Sequence, residues 1–128
     1  MNRPEKCLTV EEARKLQDKW KKTRGKEIEH QQGYQDTREF CYSVKELREY
    51  LDYVEDKSKE QGFENPGIRI YFGAYPKTNK KKSYSTIFLA PTKENTGEFE
   101  DGKEIFGENN YEIDPLNTVT GGWPPKNY

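Results

Sequence analysis

Residues 67–76, GIRIYFGAYP, set one arginine among alternating aromatic and aliphatic side chains. Arg69, Tyr71 and Tyr75 share one parity and so one face of a strand. A second strand over 84–91 adds Tyr84 and Phe88 to that face. Between the two runs PKTNKKKS, with Lys77, Lys80, Lys81 and Lys82. Rings on which bases stack, beside cations that meet phosphates, are what single-stranded nucleic acid or another phosphorylated ligand requires. RIYFGAY does not match the aromatic signature of an RNA-recognition strand, and no companion strand motif accompanies it. Tyr, Trp and Arg also dominate the energetics of protein–protein contacts. The candidate recognition surface is therefore Arg69, Tyr71, Tyr75, Tyr84, Lys80, Lys81, Lys82 and Trp123, for a protein partner first and for a nucleic acid or phosphorylated ligand second. A competing reading folds Trp123 and its prolines, or the helix bearing Trp20, over the aromatic face, because small domains rarely leave a large apolar patch bare. Arg69 is then a stacked or salt-bridged structural residue. Gly73 within the strand marks a bulge or a close approach that an opposing aromatic fills.

The inventory for catalysis is thin. His30 sits in a polar stretch without a companion. Cys41 follows an aromatic and is expected to point into the sheet packing, where a thiol is inert. No nucleophile elbow, zinc-protease helix, phosphate loop or dinucleotide fingerprint occurs. Carboxylates are plentiful, but none lies in an apolar strand that would raise its pKa for acid catalysis. Cys7, Cys41 and His30 have no metal-ligand spacing. Residues 94–114 carry eight Asp or Glu against Lys103 alone. Set against a calcium loop with Gly102 as its fixed glycine, Gly97 and Phe99 fall where carboxylates belong. The expectation is a chain without metal, cofactor or catalytic residue; an enzyme with a dispersed site is the third reading.

The elements that position these residues follow from periodicity. Thr9 with Glu12 forms a capping box. Val10, Ala13, Leu16 and Trp20 recur at helical spacing, and Gly25 is a natural stop, which predicts a helix over 10–24. Residues 26–37 have no period. REFCY, 38–42, is a candidate strand. Ser43 with Glu46 is a second capping box, and Val44, Leu47, Leu51 and Val54 follow at helical spacing up to Gly62, predicting a helix over 44–61. With Tyr75 opposite Tyr84, strands 68–75 and 84–91 sort cleanly. Ile68, Ile70, Phe72, Ala74, Ile87 and Leu89 make an aliphatic face expected to carry the 44–61 helix. A shift by one residue would scramble both faces, whereas a shift by two would keep them, so the exact pairs stay open. If 38–42 runs parallel to 68–75, the crossover is right-handed. The acidic segment reads as a long loop with a short strand at 104–106. The end, DPLNTVTGGWPPKNY, reads as an extended tail across the aromatic face, with a Gly121-Gly122 hinge and polyproline character.

The 128-residue chain fits a single domain: an N-terminal helix and irregular linker over 1–37, a β-α-β-β core over 38–92, and an acidic loop and Gly/Pro-rich tail over 93–128. The class is α+β, a small sheet with a helix on one face. Charged residues make up 35%, with a net charge of -1, so there is no general attraction to nucleic acid or anionic membrane. Ile, Leu, Val and Phe supply only 22 of 128 residues, while nine Tyr and two Trp add aromatic area. A small aromatic-rich core is the consequence. The absence of an apolar leader or spanning run predicts a cytoplasmic chain with free thiols.

Four phrases, SVKEL opening the second helix, GIRIYFGAYP, TIFLAPT over 86–92 and the late GGWPPK, together resemble a group of small uncharacterised bacterial proteins of a kind common in Bacteroidetes. The resemblance spans about residues 38–126. It implies one intact small domain and assigns no substrate, cofactor or catalytic residue.

Overall fold

The computed structural model describes residues 1–100, 103–117 and 125–128. It divides into two compact units, Met1–Glu39 with Gly122–Tyr128, and Phe40–Gly121. The architecture is mixed α+β. No helix among the described residues is long and apolar enough to cross a membrane.

In the first unit, helix α1 (Val10–Trp20) opens on the predicted capping box. Thr9 Oγ1 accepts from the Glu12 amide at 3.1 Å, and the Thr9 amide donates to Glu12 Oε2 at 2.8 Å. The helix does not stop at Gly25, as its sequence suggested. It passes through a π-helical turn (Lys21–Gly25) into α2 (Lys26–Gln32), so residues 26–32, expected to be irregular, are helical. Gly25 keeps ordinary helical angles, and what it supplies is space. A Cβ there would lie 3.2 Å from the Trp20 ring. The true stop is Gly33, whose φ of 81° is left-handed. The described end of the tail belongs to this unit. Asn127 Oδ1 accepts from Lys21 Nζ at 2.8 Å and from Arg38 Nη2 at 2.6 Å, and the Tyr128 amide donates to Gln17 Oε1 at 2.9 Å.

The second unit holds helix α3 (Val44–Glu60) and the sheet. Ser43 Oγ accepts the Glu46 amide at 3.0 Å, and Gly62, φ 87°, ends the helical run one residue beyond its cap. Strands β1 (Gly67–Ala74) and β2 (Ser85–Thr92) pair antiparallel in the register read from the pattern: Phe72 faces Ile87, Ile70 faces Leu89, Tyr71 faces Phe88 and Arg69 faces Ala90. Gly73 makes no bulge; the pairing runs through it unbroken, with Thr86 and the Phe88 ring beside it. Strands β3 (Asn95–Glu100) and β4 (Lys103–Phe106) form a separate hairpin that includes the predicted short strand. Residues 107–110 then run back along β2, with Lys93, Thr92 and Pro91 bonding or bridging to Glu108, Asn109 and Asn110. The chain loops out over 111–115 and rejoins β2 as β5 (Leu116–Asn117).

The order β1-β2-β5 is wholly antiparallel. The expected parallel strand at 38–42 is not formed; Phe40 makes a single β-bridge, and the β-α-β-β order is replaced by α-β-β with a late third strand. Five residues without a long apolar run offer too little to hold a parallel pair, whereas Leu116 arrives on a chain already bonded to β2.

The core is Tyr50, Val54, Leu89 and Ile113, with Tyr42, Leu47, Ile68, Ile87 and Leu116 packed against it. Helix α3 turns Tyr50, Val54 and Ser58 inward, one step round from the predicted stripe, and Val44 is exposed. Tyr50 decides this orientation: its hydroxyl donates toward the carbonyls of Leu89 and Asp114, at 3.2 and 2.9 Å. The aliphatic face is therefore only partly core. Ile68, Ile87 and Leu89 meet α3, but Ile70 and Phe72 on the outer strand are 63% and 80% exposed.

Candidate functional site

On the opposite face the Tyr71 and Phe88 rings stack, 5.3 Å between centroids and 20° apart in plane. They are a cross-strand pair of β1 and β2, so the contact follows directly from the register. Arg69, two residues before Tyr71 on the same face, does not stack. Its Nη1 donates to Asn109 Oδ1 at 2.6 Å, and Nη2 reaches the Gly107 carbonyl at 3.4 Å. Asn109 Nδ2 donates to the Tyr71 hydroxyl at 2.8 Å. Arg69, Asn109 and Tyr71 thus form one bonded chain. The Asn109 amide and, less strongly, the Arg69 guanidinium favour the phenolate, holding the Tyr71 pKa below the ordinary tyrosine value.

Beside this chain lies a cleft of 360 Å³, with the Tyr71–Phe88 stack on one side and Asn109, Tyr111, Ile113 and Pro115 on the other. Ile113 is 2% exposed and anchors the 111–115 loop in the core, while Tyr111 stands at the rim, 89% exposed. Glu112, on the same loop, accepts from Gln61 Nε2 at 2.7 Å, and Asn110 Nδ2 donates to Gln61 Oε1 at 2.5 Å. The loop is thus fixed at both its inner and outer edges. The cleft itself is mainly apolar, with amide groups at its mouth.

The remaining predicted residues do not converge here. Tyr75 lies four residues along β1's line, roughly 13 Å away at about 3.3 Å per residue. It forms a second polar cluster: its hydroxyl donates to Asn117 Oδ1 at 2.7 Å and accepts from Thr86 Oγ1 at 3.2 Å. Tyr84 is half-buried at the base of the 76–83 turn. Lys80, Lys81 and Lys82 are exposed at its tip, which Thr78 organises by accepting the Lys81 amide at 2.9 Å. Trp123 lies outside the described residues. The expectation that the tail crosses the aromatic face falls on residues outside the described ones; the described end, 125–128, bonds within its own unit to α1, the following π-helical turn and Arg38.

Cys41 is exposed, not packed into the sheet; with no strand at 38–42, nothing turns it inward. Cys7 is exposed as well, and His30 lies exposed on the last turn of α2. No group of three His, Cys, Asp or Glu among the described residues is placed to hold a metal ion.

Sequence reasoning missed Asn109, Asn117 and Tyr111. All three lie in the acidic stretch or just after it, which has no period to read. The available signal was chemical: neutral amides and a tyrosine among carboxylates, at turn-favouring positions. Compared with protein-family models, curated proteins and solved structures, the chain matches none.

Proposed function

We propose that this is a non-enzymatic binding protein, and that the cleft between the Tyr71–Phe88 stack and the 109–115 loop receives an apolar or aromatic side chain of a protein partner. The observation that carries this reading is Tyr111, a large ring 89% exposed at the rim of a mainly apolar cleft whose wall is already ordered. Rigid aromatic side chains around a desolvated pocket are the usual anchors of protein recognition. The lining of the cleft supports a neutral ligand segment. No charged side chain among the described residues lines it; nearby, Glu108 pairs with Lys93 at 3.6 Å, Glu112 accepts from Gln61, and the guanidinium of Arg69 is engaged by Asn109 and Gly107.

The nucleic-acid or phosphorylated-ligand reading has less support, because the lysines lie in the turn beyond the Ala74–Ser85 end of the strand pair while the stacked rings lie at its middle. Selection from a displayed peptide library, followed by anisotropy with the enriched peptides, tests the proposal. Binding is expected to weaken at least about tenfold in Tyr111→Ala, equivalent to roughly 1.4 kcal/mol, and to change little with salt. Equal binding by Tyr111→Ala would remove the cleft as the site. Single-strand binding that falls steeply with salt and depends on Lys80 and Lys81 would transfer the function to the loop.

A further inference from the structure

We propose that the outer edge of β1 pairs with the same edge of a second copy of this chain, giving a symmetric antiparallel dimer. The Tyr75 amide donates to the Tyr84 carbonyl at 3.0 Å. Alternation along an antiparallel ladder then turns the backbone groups of Arg69, Tyr71 and Gly73 toward β2 and those of Ile68, Ile70, Phe72 and Ala74 outward. No strand among the described residues lies beyond β1. The edge is eight residues long, runs without a bulge, and carries no proline. Its one charge, Arg69, points to the other face and is bonded to Asn109. Protected edges have such devices, and this one lacks them. Its outward-bonding residues also carry exposed apolar side chains, Ile70 and Phe72.

The occupant follows from the strand's own pattern. A two-fold axis at Tyr71 sets Ile70 against Phe72 of the second copy and Ile68 against Ala74, apolar on apolar throughout. Arg69 meets Gly73, so no like charges face each other. Continuing the same register brings Lys77 level with Asn65 and Thr78 level with Glu64 of the other copy. The exposed lysine tip of each copy, with Lys80 and Lys81, thereby reaches a groove lined by Glu55, Lys59, Phe63, Glu64, Asn65 and Pro66. Two carboxylates there face the lysines against one ammonium, and the symmetry provides the contact twice. Ile70 and Phe72 offer on the order of 250 Å² of apolar surface per copy. That is below the roughly 800 Å² per partner of a permanent interface, so the dimer is a reversible one.

Sedimentation velocity over about a hundredfold range of concentration tests this, with Cys7 and Cys41 changed to Ser throughout. The mass is expected to rise toward twice that of the chain, and Phe72→Lys, at an exposed position that does not threaten folding, is expected to hold it at the monomer. Register is tested by oxidation. Tyr71→Cys sits on the axis in a non-hydrogen-bonded pair, where Cα atoms approach to about 4.5 Å, within disulfide range. It should form the covalent dimer at least about tenfold faster than Ile70→Cys, which faces Phe72. A chain monomeric throughout, or a dimer indifferent to Phe72→Lys, overturns the proposal; equal crosslinking by Ile70→Cys overturns the two-fold at Tyr71.

Discussion

Asn109 donates its side-chain amide to the Tyr71 hydroxyl at 2.8 Å, while its carbonyl oxygen holds Arg69 at 2.6 Å. One neutral residue from the acidic stretch thus fixes the two strand residues that the sequence marks most strongly. It ties the Arg69 guanidinium to the Tyr71 hydroxyl, and it orders one wall of the cleft.

Because the Asn109 amide is the largest influence lowering the Tyr71 pKa, Asn109→Leu is expected to move that pKa back up toward the ordinary tyrosine value. Ultraviolet-monitored alkaline titration, with Tyr71→Phe identifying the signal, reads the shift. An unmoved Tyr71 titration would leave Arg69 as the cause.

Tyr50 and Tyr42 are both core tyrosines with opposite bonding. The Tyr50 hydroxyl serves the Leu89 and Asp114 carbonyls, whereas the Tyr42 hydroxyl is buried with no hydrogen-bond partner among the described residues. Tyr50→Phe should cost about 1–3 kcal/mol by stranding polar groups, and Tyr42→Phe should leave stability unchanged or raised. Urea unfolding of the two variants distinguishes them; equal losses would contradict the assignment.

Burial pushes the Tyr50 pKa up from 10.0 to about 12, with the nearby Tyr53 acting in the same direction. Folding therefore favours the neutral phenol. Its contribution is complete below pH 10 and is lost as pH rises from 10 through 12. The urea midpoint should fall across that window, and fall less in Tyr50→Phe. A parallel decline in both proteins would assign alkaline unfolding to other groups.

Gly107 is the tightest point beside the site. A Cβ there would come within 2.5 Å of the Glu94 amide nitrogen and 2.6 Å of its carbonyl oxygen, both backbone atoms. The Gly107 amide also donates to that carbonyl at 2.7 Å. Gly107→Ala must separate the two segments, at a cost of roughly 1–3 kcal/mol. Because the Gly107 carbonyl and Asn109 hold Arg69, the Tyr71 titration should shift in the same variant. Wild-type stability in Gly107→Ala would show that the segments separate at no cost.

Local periodicity and capping chemistry were enough to read the beginnings of both long helices, the Gly62 stop and the sorting of β1 and β2 side chains onto two faces, because each depends on residues near in sequence or on a period of two that tolerates no slip by one; a slip by two keeps the same faces, so the exact pairing was decided by the tertiary structure. The α+β class and the face shared by Arg69, Tyr71 and Phe88 follow from them. Tertiary structure decided the rest. Gly25 reads as a stop, yet serves as room for the Trp20 ring, a fact about space rather than propensity. The third strand comes from Leu116 and not from 38–42, because residues 107–110 already run along β2 and deliver it there. Ile70 and Phe72 have the pattern of core residues and are exposed, since α3 is held over β2 by the two bonds of Tyr50. The cleft is closed by Asn109, Tyr111 and Ile113, from a stretch with no period, whose positions depend on partners roughly 20 to 60 residues away that no local pattern encodes.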